Sequence, residues 1–327
     1  MRISTTHEES DAILAAMSDV AATGRGEPAF ADRTALAAAA RWMFGVDDAA
    51  AAASLPTIDP ARLAGAVRAP ALRVEAVRFL TVMAFVDGTI DAAKIARVLA
   101  YADALGVHEE SIDEIAAAAR GSIDWALAHM VRDNMTSVIG RPWPEDGDVG
   151  AWLQPYRGTG ADPALAARYR ALAQLPPGTF GRAFLEHFER NGYAVPGEPE
   201  AINERFGTPH DATHVLSGYD TSPRGEILVS TFTAAMHPVH PISGHVLPVI
   251  FSWHLGVQMN AVAKSARGAL DPGEFWRAWR RGDEARVDTF APSWDFWAHV
   301  ATPLDELRSV WQFDDRPDLV PERADDS

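Results

Sequence analysis

Apolar residues recur along this chain at intervals of three and four, the spacing of a helix face. In the window 9–22, Ile13, Leu14, Met17 and Val20 share such a face, and Gly24 and Gly26 close it. A second helical pattern covers 32–44, and an alanine run near 49–53 suggests a third before Pro56 and Pro60 mark a loop. The strongest segment begins after Pro70 and reaches Val86. Val74, Val77, Leu80 and Met83 line one side and Phe79, Val82 and Phe85 the other, so this helix is expected to be buried nearly all round. Asp87-Gly88 breaks it. Asp91 is placed to cap the next helix, which carries Ile95, Val98, Leu99, Ala102 and Leu105 and closes at Gly106. A further helix is expected over 109–130.

Between Ile139 and Pro163 the pattern lapses into prolines and glycines interleaved with Trp143, Trp152 and Tyr156, which read as a connection packed onto a domain. Helical spacing resumes over 163–174. The turn Pro176-Pro177-Gly178-Thr179 follows, then a helix with Phe184, Leu185 and Phe188 that ends at Asn191-Gly192. A short helix over 200–206 precedes one started by Pro209, and Gly218 ends that one. Another contains Glu226, Ile227, Phe232 and Met236, and a long apolar helix is expected over 245–267. The fold class read from this pattern is all-α. Residues 1–140 and 163–327 form two helical domains, joined by a Pro/Gly/Trp-containing linker at 141–162.

Composition narrows the function. A hydrophobic fraction of 47% in 327 residues supports sizeable cores. A formal charge of −16 argues against nucleic acid as a partner and against electrostatic attraction to anionic lipid. With no cysteine, any metal must sit on His, Asp and Glu. The polar N-terminus shows no secretory signal, and no run reaches the ~20 apolar residues of a transmembrane segment. The location expected from this is cytoplasmic, with peripheral contact at the inner membrane surface resting on apolar residues.

The chemistry concentrates in His210-Asp211-Ala212-Thr213-His214, followed after eleven residues by Glu226. Histidines four apart share a helix face, and Glu226, from the next helix across a short turn, can oppose them. Two imidazoles and two carboxylates suit Zn²⁺, and also Fe²⁺ or Mn²⁺. A bare H-x-x-x-H pair can equally be two histidines that merely share a face. The pattern differs from the H-E-x-x-H of metalloproteases, since Asp211 is one methylene shorter and no glycine-spaced third His follows. Arg182 is either a contact for a substrate carboxylate or a surface ion pair. His237, His240, His245 and His254 either line the same pocket or are turn and helix-end residues. The late aromatics, among them Phe275, Trp276, Trp279, Phe290, Trp294, Phe296 and Trp297, read as core, as part of a greasy tunnel, or both. Residues 314–327 read as a solvated tail.

Two resemblances attach to these residues. The run Phe79 to Asp91 with Tyr101-Ala102-Asp103-Ala104-Leu105-Gly106-Val107 resembles the TerB-like tellurite-resistance domain over residues 30–130. That family presents acidic residues at the Asp-Gly turn, whereas Lys94 stands here where a further acid is expected. The H-D-x-x-H-x11-E pattern, preceded by Leu-Pro-Pro-Gly-Thr-Phe-Gly-Arg, resembles the fourth Coq protein of coenzyme Q (ubiquinone) biosynthesis over residues 163–313. The resemblance implies an all-helical metal-binding domain, with His210, Asp211, His214 and Glu226 as the zinc-associated site. It also implies a lyase-type activity: removal of the C1 carboxylate from a polyprenylated hydroxybenzoate or related quinone precursor, with or without coupled oxidation. Asp211, Glu226 and Arg182 are then the candidate catalytic residues. Its alternative is a non-catalytic scaffold that binds isoprenoid lipid and organises other quinone-biosynthesis proteins, with self-association into a homo-oligomer a further expectation. The extra N-terminal domain and the short, broken stretch 191–209 depart from that family's pattern.

Overall fold

The computed structural model describes residues 5–46, 57–259 and 265–313. Among them every regular element is helical, and strand-like pairing is confined to the isolated bridges Thr179–Pro303 and Leu255–Arg267. The alanine run at 49–53 and the tail at 314–327 lie outside the described residues. No described helix is long and apolar enough to cross a membrane.

Contacts group the chain into two compact units. One comprises 1–137 and 230–284, the other 138–229 and 285–327. The first change of unit falls just before the Pro/Gly-rich stretch. Residues 230–284 cluster with the N-terminal half, whereas the sequence pattern alone draws them into one block with 163–229. Aromatic packing accounts for the difference. Phe79, from helix Pro70–Met83, meets Trp276 and Trp279 of helix Pro272–Glu284 edge-on, at 5.0 and 5.9 Å between centroids. Phe85 packs on Phe251 at 5.5 Å. Burying each such ring contributes about 1.5–3 kcal/mol, which rewards bringing the distant segment back onto the central helix. Gly282 is required here: a Cβ on it would lie 2.1 Å from the Phe232 carbonyl oxygen.

The capping signals act as their residue types require. Asp91 accepts from the amides of Ala93 and Lys94 to start Ala92–Leu105, and Gly106 ends that helix in the left-handed region. The helix expected over 109–130 is two helices, Glu110–Ala119 and Ile123–Ile139, with Gly121 at φ +82° between them. The long helix expected over 245–267 does not form. The chain runs instead through π-helical Pro241–Val246, the short helix Leu247–Val249 and π-helical Ile250–His254, then turns at Gly256 (φ +71°). The helical run passes through Pro248 and stops before the left-handed Gly256, so apolar content alone does not make a long helix of this segment.

At the Asp87-Gly88 turn, Lys94 takes a role that its place in the pattern leaves open. Its wholly buried Nζ lies 2.9 Å from Asp87 Oδ2 and 3.4 Å from both oxygens of buried Asp32. Arg25 adds a second cation to Asp87 at 3.0 Å. Burial pushes the Asp32 carboxyl up, with Lys94 opposing. Burial also works to raise Asp87, but Thr89, Lys94 and Arg25 together hold it below the ordinary value. A covalently attached ammonium thus takes the place between the carboxylates. Removing it leaves buried Asp32 without a cation, so Lys94→Met is expected to cost about 3–5 kcal/mol in urea denaturation. A loss under about 1 kcal/mol would show that the pair is not a structural requirement.

Candidate metal centre

The second unit builds its site from helices Phe180–Asn191 and Glu204–Ser217 and the first turns of Pro223–Met236. Asn203 starts the middle helix by accepting from the Arg205 amide, so Pro209 lies inside the helix and does not open it as its position suggested. Gly218 ends it at φ +83°, and Arg308 donates to the terminal carbonyls of Val215 and Leu216 at 2.7 and 3.0 Å. Those carbonyls would otherwise be unpaired in a buried setting. Asp220 folds the turn by accepting from the Ser222 amide and hydroxyl, and the Ser222 oxygen accepts from the Gly225 amide to start the next helix. A Cβ at Gly225 would fall 2.1 Å from the Asp220 carbonyl oxygen, so only glycine permits a turn this tight. The turn brings Glu226 back over the histidine pair.

Three ligand-type groups converge: His210, His214 and Glu226. The two Nε2 atoms are 3.3 Å apart, and the Glu226 oxygens lie 3.4 Å from His210 Nε2 and 3.6 Å from His214 Nε2. The edge of a tetrahedron with metal bonds of about 2.0–2.1 Å is about 3.3–3.4 Å, so this triangle has the size that zinc requires. His214 is wholly buried. Its Nδ1 donates to the Tyr219 carbonyl at 3.0 Å, which leaves Nε2 facing Glu226. His210 is steadied by stacking on Phe206 at 5.5 Å.

Asp211 is not brought into the triangle. It is turned about 100° from His210 along the helix, so it reaches only the rim of the face that His210 and His214 share. Its Oδ1 instead meets His187 Nε2 at 3.1 Å. The His187 ring stacks near-parallel to His214, with centroids 5.6 Å apart. Asn191, itself bonded by the Thr221 hydroxyl, donates to the His187 carbonyl. His187 is not among the residues that the sequence singles out; its one signal is a polar residue in the buried stripe of Phe184 and Phe188. Arg182 is held by Glu186 at 2.7 Å and by the Ala173 carbonyl at 2.6 Å, the ion-pair alternative of the two the sequence allows. His237, His240, His245 and His254 all cluster with the first unit. Of the late aromatics, Phe275, Trp276, Trp279, Phe290 and Phe296 are buried core. The Leu-Pro-Pro-Gly-Thr-Phe-Gly-Arg segment is structural here: the amides of Phe180 and Gly181 donate to the carbonyls of Thr302 and Val300.

The charges of the triangle are tightly paired. Burial works to lower His214, but Glu226, with help from Asp211 and the Tyr219 carbonyl, lifts it to about 9. Burial likewise works to raise Glu226, yet the two imidazoles hold it well below the carboxylate range. Compared with known protein families and with characterised proteins, the sequence matches none.

A metal entering this site must displace the proton on His214. Below pH about 9 affinity should therefore rise with pH, by up to tenfold per unit where one proton is released, and flatten above it. Zinc competition titrations from about pH 6 to 9 would read this, and a flat profile would remove the His214–Glu226 pairing as its control. Asp211→Asn should keep the metal stoichiometry and lower affinity by about 10–100-fold, as for a residue that acts through a neighbour. Loss of stoichiometric metal in that variant would make Asp211 a direct ligand.

Proposed function

We propose that this protein is a metal-dependent lyase acting on an aromatic acid, with His210, His214 and Glu226 holding Zn²⁺. The observation that carries the proposal is the three-ligand triangle. Catalytic zinc sites keep three protein ligands and one open position, whereas structural sites close with four. Asp211, the fourth candidate, faces His187, which favours the enzyme over a scaffold whose metal only staples helices.

The resemblance to the fourth Coq protein supplies the substrate class: a prenylated hydroxybenzoate or related quinone precursor that loses its C1 carboxylate. Bound zinc supplies Lewis acidity toward a phenolic or carboxylate oxygen. In the simple reaction the ring–carboxylate bond breaks, CO₂ leaves, and its electron pair takes a proton at C1. The proton at C1 is supplied by solvent, and His187, through Nε2, fixes Asp211 beside the triangle. Arg182 is already paired and is given no catalytic role.

Zinc-loaded protein incubated without oxygen with 4-hydroxybenzoate carrying a short prenyl chain should release CO₂ and yield the prenylated phenol. His210→Ala should release none above buffer. Turnover only in air, with oxygen incorporated at C1, would replace the simple reaction by the oxidative one. Equal CO₂ from wild type and His210→Ala would overturn the assignment.

A further inference from the structure

The first unit carries its own group of ligand-type side chains, separate from the zinc triangle. Glu110 lies at the start of helix Glu110–Ala119, Asp133 in helix Ile123–Ile139, and His240 just before the π-helical Pro241–Val246. Their ligand atoms lie within 4.8 Å of one another. His240 Nδ1 is 3.7 Å from Glu110 Oε2 and 3.6 Å from Asp133 Oδ2. These separations are too long for hydrogen bonds. Atoms bound to one hard cation at about 2.0–2.6 Å lie about 3–5 Å apart, which these separations match.

The arrangement is fixed by its frame. Asn134 Nδ2 donates to the Gly244 carbonyl at 2.7 Å, the Gly244 amide donates to the His240 carbonyl at 2.8 Å, and Ser137 Oγ pairs with His245 Nε2 at 2.7 Å. Gly244 sits so close to the neighbouring helix that a Cβ would be 3.2 Å from its backbone at Asp133 and Asn134. His240 itself is held left-handed at φ +46°, a conformation rare outside glycine and concentrated at functional positions.

Glu114 is the independent observation that points to a ligand. One turn beyond Glu110 on the same helix face, it is only 1% exposed. Neither of its carboxylate oxygens has a hydrogen-bond partner, and buried Asp133 Oδ2 has none either. Burial, then the charges of Asp133, Glu110 and Asp113, push Glu114 up to about 9. The Ser243 hydroxyl donates to the Asp133 carboxylate, and the side chains of His240 and His129 lie near it.

We propose that Glu110, Asp133 and His240, with Glu114 one helical turn along from Glu110, bind a divalent cation of the Mn²⁺ or Fe²⁺ class. One imidazole among carboxylates is a harder donor set than His210–His214–Glu226, and it suits those ions over zinc. The cation cross-links helices Glu110–Ala119 and Ile123–Ile139 and the π-helical turn, and it supplies the charge that Glu114 lacks.

The test is a count of bound Mn²⁺ by electron paramagnetic resonance on the full chain carrying His210→Ala and His214→Ala, with zinc-loaded wild type as a parallel. One tightly bound Mn²⁺ per chain is expected in both, and Mn²⁺ should raise the thermal midpoint. Asp133→Asn and the isosteric Glu114→Gln should each weaken Mn²⁺ binding by about tenfold or more while circular dichroism is unchanged. No bound Mn²⁺ in either background, or undiminished binding in both Asp133→Asn and Glu114→Gln, overturns the proposal. Loss of zinc chemistry at His210 would not affect this outcome.

Discussion

Carboxylates enter the interior of this protein in company. A buried charge is tolerated only with a partner whose attraction offsets several kcal/mol of lost hydration. Asp32 and Asp87 have Lys94 and Arg25; Glu75 and Glu109 share Arg78; Asp19 holds Arg97; Glu226 lies between two imidazoles. In a chain of net charge −16 the cations must be placed one by one, and each placement fixes an element boundary. Lys94 ties helix Ala92–Leu105 to the Asp-Gly turn before it and to the start of helix Phe30–Phe44. His214 ties helix Glu204–Ser217 to the helix that follows it.

The two kinds of partner have different consequences. Lysine and arginine keep their charge through any physiological pH, so Lys94 closes its site permanently. Histidine can give up its proton, and a metal ion can then take the same place between imidazole and carboxylate. The His210–His214–Glu226 triangle is therefore both an ion pair that holds two helices together and a ligand set of tetrahedral size. Tyr219 makes the exchange orderly: its carbonyl keeps Nδ1 protonated in either state, so only Nε2 changes hands.

Legibility in the sequence follows locality. Helix faces, the Asp91 cap and the glycine stops at 106, 192 and 218 are readable because each depends on residues within a turn or two. So is the convergence of His210, His214 and Glu226, which span a helix, a short turn and a helix start. Asp211 is the counterexample: it shares the motif but reaches only the rim of the helix face, and its partner His187 lies 24 residues away. The assignment of 230–284 to the first unit is hidden for a similar reason. It rests on Phe79 meeting Trp276, and nothing local in either segment announces the other. The long helix expected over 245–267 is a different case, because Gly256, where the helical run stops, is visible in the sequence and outweighs the apolar content around it.

The Glu110–Asp133–His240 cluster is the limiting example. Its members come from three elements, and its most telling residue, Glu114, sits where a helix pattern expects an apolar side chain. On the sequence that glutamate is a blemish in an amphipathic stripe. In the fold it is a buried acid with no basic partner, in a molecule that supplies one to Asp32, Asp87, Glu75 and Glu226. An unpartnered carboxylate at that depth costs stability unless something outside the chain completes it. A cation held by Glu110, Asp133 and His240 would place positive charge near that acid, whose nearest charges are those of Asp133 and Glu110. The same electrostatic requirement that places Lys94 between Asp32 and Asp87 thus makes a bound ion the consistent completion of Glu114.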